Sequence, residues 1–369
     1  MIIGVPKEIK NNEFRVGLTP DSVKNLIEDD HELLIEEKAG IGSGFTDKDY
    51  LEVGARMIDS PEKIFQQSEL IVKVKEPQLS ETKLLKSNQI LFTYLHLASS
   101  KDLTMRLLNS NCISLAYETI TDDDKNLPLL KPMSEIAGRL SIQAGARCLE
   151  KHSGGPGILL GGSSFSDPAQ TLVIGGGVVG YNASLIADGM KSKITILEKS
   201  PNRIDFLKKE FPKATILNSN NIQIEDILPN FNLVIGAVLI PGSQAPRVIE
   251  KKHLAHLKPN SVLVDVAIDQ GGCFETSKPT THEKPTYIVD DIIHYCVANM
   301  PGAVPRTSTI SLNTATLPYI KKLANMGINE FCKQSHHNLN GLNIYKGKIT
   351  YMPVSDAFEL PYSSPKDLI

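Results

Sequence analysis

Residues 171–198 read TLVIGGGVVGYNASLIADGMKSKITILE. A short β-branched run, 171–174, leads into Gly175, Gly177 and Gly180, the spacing G-x-G-x-x-G. A helical stretch follows, then a second apolar run, 194–197, that ends on Glu198. The order predicts strand, tight turn, helix and strand. Each glycine has its own task in such a unit. Gly175 permits the turn, Gly177 lets backbone N–H groups approach a pyrophosphate, and Gly180 lets helix and strand pack closely. The phosphates would face the positive end of the helix. Glu198, at the strand tip, would accept hydrogen bonds from a ribose diol. The glycine spacing alone is weak evidence. The strand before it, the helix after it and the acid in place favour a dinucleotide site over an ordinary glycine-rich turn.

On both sides of this stretch, apolar runs alternate with amphipathic ones. In the first third, strands are expected at 2–5, 33–35, 70–74, 90–94 and 113–117, with helical patterns such as 20–28 and 101–108. A second series starts at 171 and continues through 194–197, 214–217, 233–237, 262–266 and 287–289. This βαβ alternation predicts an α/β protein with two doubly wound parallel sheets, helices covering both faces. Residues 134–151 carry helical spacing and link the two domains. The Gly- and Ser-rich stretch 151–168 precedes the first dinucleotide-binding strand. A last helical stretch, 308–332, leads to a polar tail expected to pack back on the first domain.

The 369 residues suit two domains. A hydrophobic content of 41% and a charged content of 22% describe an ordinary soluble globular protein. The net charge of −3 leaves no electrostatic footprint for nucleic acid or an anionic membrane. Five cysteines, at 112, 148, 273, 296 and 332, are odd in number and never in C-x-x-C spacing. They are expected to be buried thiols in a reducing compartment. Residues 1–10 lack the apolar core of a signal peptide. The longest apolar run, 233–240, is too short to span a bilayer. A cytoplasmic location is the expectation. No metal is expected: His253 and His256, read as lying on an exposed helix, and the adjacent His336 and His337 lack carboxylate or cysteine company.

Four segments are too polar or too glycine-rich for their surroundings. Arg15 follows the opening strand, at the strand end where ligands bind in such sheets. Its fork would match a carboxylate; a surface salt bridge explains the segment equally well. Lys73 and Lys75 alternate with valines, so both are expected on one face of a strand. Lys75, just before a proline, suits a substrate carbonyl or carboxylate, or a solvated edge. His96 ends another strand and suits proton transfer near neutral pH, or sits as a satisfied core histidine. Asp265 lies within a strand and Asp269 just past it, before two glycines; a buried carboxylate there needs work or a partner. The loop 296–304, CVANMPGAV, offers small residues and backbone groups that would cover a nicotinamide.

With these residues in view, the chain resembles the alanine dehydrogenases, NAD-dependent enzymes of bacteria. The likeness runs nearly end to end: GVPKEIKNNEFRVGLTP, LIVKVKEP, QILFTYLHLA, PLLKPMSEIAGRLSIQAGA, VIGGGVVGYNA, NLVIGAVLIPG, VLVDVAIDQGGCFE and YCVANMPGAVPRTST occur in family order. The resemblance implies that Arg15 and Lys75 hold the substrate carboxylate and carbonyl region, and that His96 and Asp269 are the catalytic pair. It implies that NAD meets Ser134, the loop residues Gly175, Gly177, Val178 and Gly180, then Glu198 and Arg203. It adds strand-end contacts at Val238, Leu239, Val266, Ala267, Ile268, Val297, Ala298, Asn299 and Met300. It further implies a substrate domain of residues 1–128 and 304–369, split around an NAD domain of residues 129–303, and assembly as a homohexamer. The implied reaction is reversible deamination of L-alanine to pyruvate and ammonium. Two departures stand out. Gly176 replaces the alanine common between the first two glycines, and Glu198 replaces the usual aspartate. Both keep a small turn residue and a carboxylate at the ribose. Lys199 and Arg203 beside Glu198 leave exclusion of a 2′-phosphate open. The rival readings are the NAD-binding part of a proton-translocating transhydrogenase and a non-catalytic nucleotide sensor. Neither needs the set Arg15, Lys75, His96 and Asp269.

Overall fold

The computed structural model describes residues 1–238 and 245–369. The chain divides into two compact units, Met1–Met133 with Val304–Ile369, and Ser134–Ala303.

The split unit opens with β1 (Ile2–Val5), β2 (Glu32–Glu36), β3 (Arg56–Ile58), β4 (Leu70–Val72), β5 (Ile90–Thr93) and β6 (Ile113–Ala116). All are parallel, in the order β3-β2-β1-β4-β5-β6. Their residues are apolar almost without alternation because both sheet faces are covered. Leu34, Ile71, Leu91 and Ala116 pack on one face with Phe65, Leu103 and Leu107 of the flanking helices. Helix Pro20–Ile27 starts where Thr19 accepts the Ser22 N–H and Pro20 presets the first turn. The order reverses between β1 and β4, and chain segments leaving adjacent strands there diverge to opposite faces. Such a crevice is where ligands bind in open α/β sheets.

The inserted unit contains β7 (Gln170–Ile174), β8 (Lys193–Glu198), β9 (Thr215–Asn218), β10 (Leu233–Gly236), β11 (Val262–Asp265), β12 (Thr286–Val289) and β13 (Ile292–Tyr295). Their order is β12-β13-β11-β10-β7-β8-β9, reversing between β7 and β10 beside the glycine turn. The strand expected at 287–289 is not the next parallel strand. It is the outer, antiparallel arm of a hairpin, and β13, which the pattern did not announce, pairs parallel with β11. Asp290 and Asp291 both take positive φ, 48° and 60°, and turn that hairpin.

The returning segment completes the first sheet. Helix Pro305–Gln334 replaces the uninterrupted stretch expected at 308–332, because Gly327 (φ 75°, ψ 169°) breaks it into two. The tail then forms β14 (Leu342–Tyr345), antiparallel to β6, and β15 (Lys348–Ile349). All five cysteines are buried and unpaired. His253 is not on an exposed helix: it is buried in a 3₁₀ turn, where its Nδ1 accepts the Glu250 N–H. Among the described residues no helix is long and apolar enough to cross a membrane.

Candidate functional site

The split unit gathers its unusual polar residues at the carboxyl ends of β1, β4, β5 and β6, around the strand-order reversal. Arg15, on the segment after β1, is buried, not a surface residue. Glu13 Oε1 accepts its Nε–H at 2.7 Å, and Glu13 Oε2 accepts from Nη2 at 2.6 Å. Met133 Sδ lies 3.0 Å from Nη1. Burial opposes ionisation of Glu13, but the Arg15 guanidinium outweighs it and, with Lys75, holds the carboxyl down to about 2. The Nε–Nη2 edge of the guanidinium is thus committed to Glu13.

The two lysines part company. The strand ends at Val72, so Lys73 and Lys75 follow it. Lys73 is fully buried, donating to Glu8 Oε2 at 3.0 Å and Glu81 Oε1 at 2.7 Å. Burial works against its charge, but the two glutamates raise its pKa above the usual range. Glu8, whose carboxyl burial pushes up, also accepts the N–H groups of Val74 and Lys75. The buried triad thereby sets the backbone that carries Lys75. Lys75 is itself buried, which removes the solvated-edge reading.

His96 does not end the strand: it stands three residues beyond the end of β5 at Thr93, in a left-handed turn with φ 48° and ψ 41°. A non-glycine residue held there is strained and must be over-determined by its surroundings. Glu118, after β6, accepts the N–H groups of Leu95 and His96, the latter at 2.6 Å. The imidazole lies parallel to the Tyr94 ring at 5.9 Å between centroids, and Tyr94 donates its hydroxyl to the Leu129 carbonyl. The ring is partly exposed, so it is not an enclosed core histidine.

In the inserted unit, the three glycines owe their identity to different causes. Gly175 has φ +99°, closed to most side chains. A Cβ on Gly180 would collide with the Gly175 carbonyl oxygen. A Cβ on Gly177 would meet nothing within 4 Å. No part of the described chain demands glycine there, which fits a ligand approaching the backbone. Gly177 caps helix Val178–Gly189, whose first-turn N–H groups and dipole suit a phosphate. Glu198 ends β8 and Arg203 follows in helix Pro201–Glu210.

Val238 follows β10, while Leu239 lies outside the described residues. Val266, Ala267 and Ile268 follow β11; Val297, Ala298, Asn299 and Met300 follow β13. Ser134 lies in helix Lys131–Cys148. The residues fit a dinucleotide: an open glycine turn at the strand-order reversal, a helix N-terminus and a carboxylate one strand away. The two aspartates after β11 divide their roles. Asp265 is fully buried and accepts from the N–H groups of Ala267, Cys273 and Phe274 and the Ser277 hydroxyl. Burial still pushes its carboxyl upward. It ties down the loop that carries Asp269, which is exposed on the 3₁₀ turn Ile268–Gln270. Sequence reasoning passed over Glu8, Glu13, Tyr94 and Glu118. Glu13 sits two residues before Arg15, but no spacing marks a charge pair that folds back on itself.

A dinucleotide-binding unit inserted into a split unit with a buried arginine, a buried lysine and a histidine at its strand ends defines a pyridine-nucleotide oxidoreductase. The chain matches the models described as "Alanine dehydrogenase/PNT, N-terminal domain" over residues 4–137 and "Alanine dehydrogenase/PNT, C-terminal domain" over residues 141–352. It is 50% identical over 370 residues to the alanine dehydrogenase of Halomonas elongata, covering 100% of both chains. A solved L-alanine dehydrogenase superposes with a TM-score of 0.92 at 46% identity, covering 97% of this chain and 99% of that one. The transhydrogenase from Sinorhizobium meliloti shares the fold, with a TM-score of 0.81 at 19% identity over 95% of this chain and 100% of that one. The chain belongs to the alanine dehydrogenase family.

Proposed function

We propose that Arg15, Lys75, His96 and Asp269 carry the reaction of an alanine dehydrogenase, the reversible NAD-dependent deamination of L-alanine to pyruvate and ammonium. The chain has that activity by its full-length similarity to alanine dehydrogenases, and NAD is the family's cofactor. The observation that carries the residue assignment is the gathering of Arg15, Lys75 and His96 at the carboxyl ends of β1, β4 and β5, where that sheet reverses order.

The glycine turn, Glu198 and the segments after β10, β11 and β13 would hold NAD+, which would supply a hydride acceptor for Cα. Arg15 fixes the substrate carboxylate, and with it the direction of the Cα–H bond. As Cα loses hydride, the amino nitrogen forms a double bond to it and releases a proton. Lys75 stabilises negative charge on the oxygen that becomes the ketone. His96 and Asp269 take a proton from the attacking water and return one to the departing ammonia. His96 keeps its ring in place through Tyr94 and its backbone in place through Glu118. Buried unpaired thiols support a cytoplasmic setting, and assembly as a homohexamer belongs to the same reading. Incubation with L-alanine and NAD+, following reduced-cofactor absorbance, tests the activity. No turnover with alanine would reject it, and light scattering tests the hexamer.

A further inference from the structure

Gly176 lies between the two turn glycines, and both of its backbone polar groups are taken. Its N–H donates to Glu198 Oε2 at 2.8 Å. Its carbonyl accepts from Arg203 Nε at 2.6 Å. Glu198 is held on its other oxygen as well, where Oε1 accepts the N–H groups of Lys199 and Ser200 at 2.7 and 2.9 Å. The Arg203 guanidinium packs over the rings of Phe206 and Tyr181, at 4.4 and 5.6 Å from their centroids. A Cβ on Gly176 would collide with Leu207 Cδ1 and stand 3.1 Å from Glu198 Oε2. Leu207 is fully buried and has little room to yield.

We propose that Gly176, Glu198 and Arg203 form one unit that selects the cofactor's ribose, with Gly176 as its specificity-determining residue. The proposal rests on NAD binding at this turn. Without a Cβ at position 176 the longer acid approaches the Gly176 N–H unhindered, whereas an added Cβ would crowd Oε2 at 3.1 Å. Three backbone donors then hold the carboxylate in place as an acceptor for a ribose 2′-hydroxyl and a repellent for a 2′-phosphate. Arg203 acts through the backbone: it is a positioning residue, not a receptor for a 2′-phosphate. A planar trans peptide that points its carbonyl at Arg203 points the Gly177 N–H the other way. Arg203 thus orients the amide of the one turn glycine whose Cβ position is open.

The test is a double-mutant cycle read as the dissociation constant for NADH, by fluorescence titration, with melting temperatures alongside. Glu198→Asp should strip the acceptor from Gly176, and Gly176→Ala should displace the carboxylate. Each should weaken NADH binding roughly tenfold. The pair should bind no worse than the weaker single variant, because the shorter acid and the new methyl fill each other's space. Losses that multiply would overturn the coupling. Should Gly176→Ala fail to fold, Glu198→Asp suffices: amide exchange at Gly176 should quicken while the melting temperature holds, and unchanged exchange would overturn the proposal. Arg203→Met should weaken NADH, and neither it nor the unmodified protein should bind NADPH. NADPH binding that depends on Arg203 would overturn the positioning role. A native chain that binds no NADH would overturn this inference and the cofactor reading together; NADH binding with multiplying losses overturns only the inference.

Discussion

Glu13 grips Arg15 along one edge of the guanidinium, at 2.7 Å to Nε and 2.6 Å to Nη2, with both side chains buried. Glu13 thereby fixes the plane of the buried guanidinium, which an isolated arginine could not hold. Breaking such a buried pair leaves an uncompensated charge, so loss of either partner costs stability as well as orientation.

The pair gives acid stability a defined window. The Glu13 carboxyl sits at about 2 in the folded chain, against 4.5 for a free side chain. Its folded value is depressed, so its stabilisation is full above pH 4.5 and is lost as pH falls toward 2. Glu13→Gln should flatten stability against pH across that window by up to one proton, about 1.4 kcal/mol per pH unit. Urea unfolding at several pH values checks it. Parallel curves for the two proteins would place the titration elsewhere.

Arg15→Lys keeps the charge but cannot hold Glu13 and a carboxylate together through one planar fork. The expected loss in kcat/KM for alanine is roughly 10–100-fold, the worth of a charge-assisted hydrogen bond. NADH affinity should be unchanged. Steady-state kinetics with alanine at near-native efficiency would locate the carboxylate elsewhere.

His96→Asn separates chemistry from conformation, because asparagine tolerates the left-handed turn better than other side chains. The melting temperature should hold. Turnover should fall by ~10²–10⁴, the usual value of a positioned acid–base group. Full turnover in a folded variant would remove His96 from proton transfer.

The aspartates after β11 should answer oppositely. Asp269→Asn, on an exposed turn, should abolish most turnover, by ~10²–10⁴, at an unchanged melting temperature. Asp265→Asn turns a buried acceptor of several N–H groups into one that also presents donors to them. Its melting temperature should drop clearly. Melting and turnover measured on the same preparations check both. A destabilised, active Asp269→Asn protein would reverse the division.

Much of the fold was legible because its signals are local. The β7 strand, its glycine turn and Glu198 sit within 29 consecutive residues, 170–198, and Gly175 and Gly180 obey rules of backbone geometry. β1, β2 and β6 are short apolar runs in the places expected. β3 was missed because ARMIDS carries too few apolar residues to announce a strand. β13 was missed because its run, IIHY, is only four residues long and follows β12 after just two residues; its hairpin depends on two consecutive aspartates accepting positive φ.

The sequence by itself placed unusual polar residues near strand ends and a G-x-G-x-x-G turn between β7 and its helix. Periodicity and glycine spacing depend only on near neighbours. Tertiary structure decided the rest. It separated Lys73, neutralised by Glu8 and Glu81, from Lys75, and Asp265, spent on its own loop, from Asp269. It also brought a polar tail back as β14 beside β6. Within each pair the residue types are identical and the spacing is two or four positions, so local pattern cannot rank them. What distinguishes them is burial and the partners supplied by distant segments, and those exist only once the sheets have closed over them.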